Sequence, residues 1–376
     1  MPEAGSDQEP TFLDIAGRVQ PQGRNLRVGF IGCGSHAFRN ILPTFQFLPV
    51  ELAATCDLRP EQARAYAHRF GARRAYQSHQ EMLAQEHLEA VFIVTNYDEA
   101  GRPRYPRLAM DCMEAGCHVW VEKPPAASSE EVLAMAAVAR STGRFVVVGF
   151  KKMFAPANVK ASEIVRSPEF GPLQSISLRY PQYVPAPEEM GSLQGNPQLV
   201  GFLDHLCHPV SVLYLLAGAP RSVYYRRSEK GGGFALFELS DGAVASLHFA
   251  SGQSATSPLE RTEVVGVGAN VVVENGLELT YYRPGRRGEG GYGRATNFIG
   301  PDAGAPVLWE PEFSLGQLYN KGLFLLGYYD EVKYFMDCVL AGRAPEKSNL
   351  RTALASTRVF EAFRSGPGKT HQLAAD

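Results

Sequence analysis

With 376 residues the chain is long enough for two domains of about 150 residues each. Its 45% apolar and 20% charged residues exclude a chain disordered throughout, and a formal net charge of −2 gives it no global pull toward nucleic acid or an anionic membrane. No apolar run approaches the roughly 18 residues of a membrane span; the longest candidate, Pro209 to Pro220, is interrupted by Ser211, Tyr214 and Gly218.

Residues 1–25 lack both the basic start and the apolar stretch of a signal peptide. They read as a tail that only the patch Phe12, Leu13, Ile15 would dock. Leu26 to Cys33 is nearly all apolar, as in a parallel strand covered on both faces. A helix is expected over Ala37 to Leu48, bent at Pro43, then a strand over Val50 to Cys56. Ala63, Tyr66, Ala67 and Phe70 lie at helical spacing within Glu61 to Phe70. Ser78 and Glu81 form a capping box. A strand follows over Ala90 to Val94, then a helix over Arg107 to Ala115 stopped at Gly116. His118 to Val121 is the next strand. Ser128 and Glu131 cap a helix to Ser141, and Phe145 to Phe150 is another strand. Strands alternating with helices at this spacing predict an α/β Rossmann domain over residues 26–150, with right-handed crossovers.

After residue 150 the pattern changes. A helix over Asn158 to Arg166 precedes a strand over Leu173 to Tyr180. Pro197 marks a break, and Leu199 to Leu216 is a long helix bent at Pro209. Strands are expected over Ser222–Tyr225, Phe234–Leu239, Ala243–Phe249, Thr262–Val267, Asn270–Glu274 and Leu277–Tyr281, with Asp241-Gly242 as a hairpin turn. Such a succession predicts an α+β domain over residues 151–345 with a large, mostly antiparallel open sheet. Pro284 to Gly304 reads as a long loop, and helices near Gly327–Leu340 and Asn349–Arg364 close the chain. The six cysteines form no C-x-x-C pair and read as reduced, mostly buried thiols of a cytoplasmic protein.

The strongest local signal is Gly32-Cys33-Gly34-Ser35-His36-Ala37, a G-x-G-x-x-A turn between a strand and a helix. Gly32 permits the tight turn, Gly34 lets backbone approach a pyrophosphate, and small Ala37 lets helix and strand pack closely. The helix start then offers unpaired N–H groups to the anion. Asp57 ends the next strand, where an acid accepts from ribose hydroxyls. Its carboxylate favours NAD over NADP, although Arg59 can pair with a 2′-phosphate. Glu122-Lys123-Pro124-Pro125 follows a strand's carboxyl end, where α/β sheets bind ligands; alone it is an ordinary solvated loop. Asp204, His208 and Ser211 share a face of the long helix, while Phe202, Leu206, Val210 and Leu213 pack elsewhere. Asp204 and His208 suit an acid–base pair, or simply a hydrogen-bonded histidine at a domain interface. A metal shared by His205 and His208 with Cys207 or Asp204 is disfavoured, because these residues face different sides of the helix.

Together and in this order, these motifs resemble the Gfo/Idh/MocA family, the relatives of glucose–fructose oxidoreductase and inositol dehydrogenase. The resemblance runs from Leu26 to the chain end. It includes Cys56-Asp57, Ala115-Gly116-Cys117-His118-Val119 leading to Glu122-Lys123-Pro124, Gly149-Phe150-Lys151-Lys152-Met153-Phe154-Ala155-Pro156, and the helix of Asp204 and His208. The chain departs from the family's usual residues at Asn96 (Pro), Tyr105 (His), Lys151 and Lys152 (two Arg) and Ser211 (Asp). The resemblance implies an NAD(P)-dependent dehydrogenase or reductase acting on a secondary alcohol of a sugar or cyclitol. Lys123, Asp204 and His208 would be catalytic, with His208 as base. Gly32, Gly34, Ser35, His36, Ala37, Asp57, Arg59, Thr95, Asn96, Glu122, Lys123 and Pro124 would hold the cofactor, with no metal. Lys123, Lys151, Asp204, His205 and His208 would bind substrate. It further implies that residues 346–376 return to the Rossmann domain and that the chain forms a homodimer or homotetramer. Glu188, Glu189, Trp309, Glu310, Glu312, Tyr328 and Asp330 are candidates for an aminosugar pocket. Two rival readings keep the cofactor: a glycosidase that oxidises its sugar transiently, and a non-catalytic NAD-binding sensor.

Overall fold

The computed structural model describes residues 24–284, 305–311 and 321–373; residues 1–23 of the expected tail (1–25) and residues 285–304 of the expected Gly/Arg-rich loop (284–304) lie outside them. Strands β1 (Leu26–Ile31), β2 (Val50–Cys56), β3 (Arg74–Tyr76), β4 (Ala90–Ile93), β5 (His118–Val121) and β6 (Val146–Val148) form one sheet in the order β3-β2-β1-β4-β5-β6. Every neighbouring pair is parallel. This is the doubly wound order, with its switch point between β1 and β4. The central strands β1 and β4 are apolar but for Arg27 because helices cover both faces; Phe30 stacks on Phe92 with ring centres 6.2 Å apart.

The expected helix over Ala37 to Leu48 is two shorter pieces. Helix α1 (Ala37–Ile41) is wound as a π-helix, and a 3-10 segment (Leu42–Phe47) follows with Pro43 in its first turn. Pro43 has no N–H to donate and its ring crowds the preceding turn, which disfavours a continuous α-helix here. Helix α2 (Pro60–Phe70) buries Ala63, Tyr66 and Ala67. The Ser78 side chain caps α3 (His79–Gln85) by accepting from the Glu81 N–H. Helix α4 is Tyr105–Glu114, and α5 (Ser129–Thr142) carries both halves of the Ser128/Glu131 capping box.

Helix α6 (Pro156–Val165) leads to the second sheet, which contains β7 (Leu173–Tyr180), β8 (Ser222–Arg227), β9 (Gly233–Glu238), β10 (Val244–Phe249), β11 (Arg261–Gly266), β12 (Asn270–Glu274), β13 (Glu278–Tyr282), β14 (Val307–Trp309) and β15 (Thr370–Gln372). Its order is β14-β13-β12-β11-β7-β10-β9-β8-β15, antiparallel except between β7 and β10. Alternation sorts the two faces: in β9, Ala235 and Phe237 are buried while Phe234 and Leu236 point outward.

Helix α7 (Pro197–Ala217) lies against the inner face. Pro197 does not break the chain but opens this helix, and Asn196 caps it by accepting from the Leu199 N–H. By length and composition α7 is the one helix among the described residues that could cross a membrane, contrary to the reading from apolar runs. Most of it is buried inside the protein, as befits a core helix.

Helix α8 (Lys321–Leu325) precedes α9 (Tyr328–Leu340), which inserts Val332, Phe335 and Met336 into the core beneath the first sheet, beside Phe92 and Trp120. Helix α10 (Leu350–Arg364) packs on both α5 and α7, and β15 then joins the edge of the second sheet beside β8.

Candidate active site

The loops after β1, β2, β4, β5 and β6 converge at the carboxyl edge of the first sheet. Gly32 has φ +95°, and a Cβ there would lie 2.0 Å from the Val94 carbonyl oxygen. Only glycine fits this close approach. Around Gly34 the space is open: no atom lies within 4 Å of where its Cβ would be. The loop is fixed from below, where Gln62 Nε2 donates to the Cys33 carbonyl at 2.8 Å and Tyr66 Oη to the Gly34 carbonyl at 2.9 Å. Ser35 is exposed at the loop's tip, and Ala37 is buried against the sheet. Asp57 accepts from the Cys33 N–H at 2.8 Å and the Arg59 N–H at 3.0 Å, and Arg59 Nε folds back onto it at 3.4 Å. A pinned loop with one open glycine and an adjacent carboxylate fits a dinucleotide's pyrophosphate and ribose.

His36 Nε2 lies 2.7 Å from Glu122 Oε1, and Asn40 holds the other ring nitrogen at 2.9 Å. Glu122 Oε2 accepts from the Lys123 N–H at 2.8 Å. This buried carboxylate therefore ties the nucleotide loop to the next motif, whose Lys123–Pro124 peptide is cis.

Lys123 Nζ donates to Asp204 Oδ2 at 3.0 Å, and Tyr97 Oη donates to Asp204 Oδ1 at 2.7 Å. Tyr97 was not among the expected site residues; its signal is an aromatic hydroxyl four residues past a buried strand. His205 Nδ1 turns to the Gly201 carbonyl at 2.9 Å and lies 3.6 Å from Asp204 Oδ2. His208 is 7% exposed, with its ring centre 6.1 Å from that of His205, and its buried Nδ1 has no hydrogen-bond partner. Burial, then the charges of Lys123, Lys152 and Lys151, push its pKa well below the usual histidine value. For Lys123, burial opposes the charge, but Cys207, Asp204 and Glu122 outweigh it and raise the pKa.

Past β6, Lys151 Nζ donates to Tyr328 Oη at 2.8 Å and sits 4.3 Å from the ring centre. Lys152 pairs with Glu260 and lies 5.7 Å from the centre of the Tyr180 ring, itself 6.1 Å from the His208 ring.

Other expected residues point elsewhere. Ser211 Oγ donates to the His208 backbone carbonyl, not to its ring. Tyr105 Oη donates to the Thr95 carbonyl at 2.9 Å, while Thr95 Oγ1 is buried without a partner and Asn96 is exposed. Of the aminosugar candidates, Tyr328 alone meets the cluster, through Lys151. Trp309 and Asp330 line a separate groove with Phe154 and Lys347, Glu188 and Glu310 are exposed, Glu189 accepts from Tyr183 Oη, and Glu312 lies outside the described residues. Among the described residues no group of three His, Cys, Asp or Glu side chains could hold a metal ion.

Residues 26–150 match a family model described as an oxidoreductase family with an NAD-binding Rossmann fold, and residues 158–276 match the GFO/IDH/MocA C-terminal domain. D-xylose 1-dehydrogenase (NADP(+)) 2 of Haloferax volcanii is 30% identical over 199 residues, which are 52% of this chain and 58% of that one. D-glucoside 3-dehydrogenase of Escherichia coli is 31% identical over 155 residues, 41% of this chain and 43% of that one. The chain thus spans about half the length of these curated relatives. A dehydrogenase structure from Chromobacterium violaceum superposes with a TM-score of 0.73 at 24% identity, covering 92% of this chain and 96% of its own. The two family models together take in more than half of the chain, which belongs to the Gfo/Idh/MocA family of oxidoreductases.

Proposed function

We propose that this chain is an NAD-dependent dehydrogenase or reductase that interconverts a secondary alcohol and a ketone on a sugar or cyclitol. The observation that carries this reading is the Lys123–Asp204 pair, at 3.0 Å, beside a histidine held neutral. When bound, the nicotinamide supplies the hydride chemistry. Gly34 and the start of α1 would hold the pyrophosphate, and Asp57 the adenine-side ribose. Asp57 faces the loop and Arg59 is folded onto it, which favours NAD over NADP. A neutral His208 can take the hydroxyl proton as base. Lys123 stabilises the negative charge that develops on that oxygen, and Asp204 orients Lys123. The names of the two relatives support a sugar substrate.

We also read the outer face of the second sheet, with Phe234, Leu236 and Val244 more than half exposed, as the surface on which two copies pair. Six buried, unpaired cysteines support a cytoplasmic setting.

The test is the absorbance of reduced nicotinamide during incubation with NAD, and separately NADP, across sugars, cyclitols, nucleotide sugars and aminoglycosides. Growth with NAD and one compound supports a dehydrogenase. A hydride-recycling glycosidase would release an aglycone from glycosides with no net reduced cofactor. NAD binding with neither outcome, in forward and reverse panels, would sink the reading.

A further inference from the structure

Tyr97 lies outside the chemistry just proposed, yet it makes a short bond to the centre of it. It belongs to a small hairpin between β4 and α4, closed by a bridge between Tyr97 and Pro103. Three contacts hold this hairpin. Asp98 Oδ1 accepts from the Ala100 and Arg102 N–H groups at 3.0 and 2.8 Å. Arg102 donates to Glu131 of α5 at 2.8 Å. At the tip, Gly101 has φ +73°, and a Cβ there would sit 2.6 Å from the Leu193 carbonyl oxygen, so the turn rests on backbone next to α7. A turn anchored at both sides and at its tip has little freedom, and it delivers a phenol to Asp204 across 107 residues of chain.

Asp204 therefore receives one donor on each oxygen: Tyr97 on Oδ1 and Lys123 on Oδ2. With both in place the carboxylate plane is fixed. With Lys123 alone the carboxylate could rotate about its side-chain bond and take the ammonium with it. Burial first, then the Asp204 charge, push the Tyr97 phenol upward, so it stays a donor over the working pH range. The other charged or titratable groups facing Asp204 are His205 and Cys207 of α7, Tyr105 of α4 and Tyr180 of β7; Cys207 Sγ donates to its backbone carbonyl, and none of them donates to its carboxylate Oδ1 in place of Tyr97.

We propose that Tyr97 is a positioning residue for the Lys123 ammonium: it locks the Asp204 carboxylate from the far side, and so sets where the ammonium meets the reacting oxygen. This rests on the dehydrogenase reading above. The expected cost of its loss falls on turnover, because a displacement of about 1 Å at a reacting centre costs on the order of 10²-fold in rate.

The test is Tyr97→Phe, which removes one oxygen and keeps the ring. With the best alcohol of the NAD panel, kcat should fall about 10- to 100-fold. KM for the alcohol, the NAD dissociation constant and the unfolding midpoint should stay within about 3-fold or unchanged. A deuterium isotope effect on kcat, measured with alcohol labelled at the reacting carbon, should grow as hydride transfer becomes limiting. Gly101→Ala, which pushes the hairpin off Leu193, should lower kcat in the same way. In the substrate-free protein, the carbon-13 resonance of reductively methylated Lys123, assigned with Lys123→Arg, should move in Tyr97→Phe. Wild-type kcat with an unmoved resonance overturns the proposal, and so does a loss of stability or NAD affinity, since the hydroxyl would then serve the fold. If Lys123→Met and His208→Asn also retain full activity, it is the reading of the site that fails, not the role of Tyr97 within it.

Discussion

Glu331 offers a quantitative check on the electrostatics around the site. It lies in the first turn of α9, is fully buried, and neither carboxyl oxygen has a hydrogen-bond partner. Burial pushes its carboxyl well above the usual range, the Glu122 charge adds to this, and Lys151 partly offsets it. The folded protein thus keeps a proton that the unfolded chain gives up near pH 4.5. Below that pH both states are protonated and the fold pays nothing for ionisation. Above it, stability falls by up to about 1.4 kcal/mol per pH unit until the folded carboxyl itself ionises. Glu331→Met keeps the volume and loses no hydrogen bond. It should stabilise the fold by about 1–3 kcal/mol near pH 4.5, the cost of an unsatisfied buried polar group, and by more at pH 8. Glu331→Gln keeps the polar atoms but cannot ionise, so its advantage should be small at pH 4.5 and grow with pH. Urea unfolding of the three proteins at pH 4.5 and pH 8 measures all of this. A methionine variant less stable than wild type at pH 8 would refute the reasoning. Glu331 would then be an ionised partner of Lys151, and breaking a buried ion pair costs about 3–5 kcal/mol.

His208→Asn should lower kcat by about 10²- to 10⁴-fold. Because burial and three lysines hold the imidazole neutral far below its ordinary pKa, wild-type oxidation should show no acid limb centred at pH 6.5; a limb there that His208→Asn abolishes would contradict this. Gly32→Ala would force a Cβ against the Val94 carbonyl at a positive φ, a cost of about 1–2 kcal/mol for the backbone and 1–3 kcal/mol for overpacking. Calorimetric titration should show NAD binding lost or strongly weakened in that variant, and unchanged affinity would contradict the loop's assignment.

Five of the six parallel strands could be read because each is a short, largely apolar and often β-branched run, such as Ala90–Ile93 and His118–Val121. Leu173–Tyr180 and Asn270–Glu274 were legible to the residue from alternation and turn signals. The strands missed, Arg74–Tyr76, Val307–Trp309 and Thr370–Gln372, are each three residues long, too short to show a period, and only pairing to a neighbour makes them strands. At the site, the glycine turn and Glu122-Lys123-Pro124 carry local signals, because their geometry is set by their own residues. Tyr97 and Tyr328 carry only the weak signal of an aromatic hydroxyl, which names no partner. Their roles come from tertiary contacts 107 and 177 residues away, to Asp204 and Lys151, and no spacing rule reaches that far. Likewise, nothing in the amphipathic pattern of Tyr328–Leu340 says which of two sheets it covers.

That placement of α9 decides the charge of the cleft. A Cβ at Gly327 would lie 2.2 Å from the Lys151 carbonyl oxygen and 2.6 Å from the Ala155 nitrogen, so the start of α9 is wedged onto the turn that carries Lys151. The wedge brings Tyr328 and Glu331 to that lysine. Lys123 is neutralised by Asp204 and Lys152 by Glu260, but Lys151 meets the neutral hydroxyl of Tyr328 and the Glu331 carboxyl, whose pKa burial raises. The three lysines around His208 therefore carry more positive charge than their carboxylate partners cancel. That excess favours an oxyanion in the same small volume and so acidifies the bound alcohol, while it opposes the imidazolium that forms when His208 takes the proton, so the lysines promote proton loss through the oxyanion and not through the basicity of the histidine.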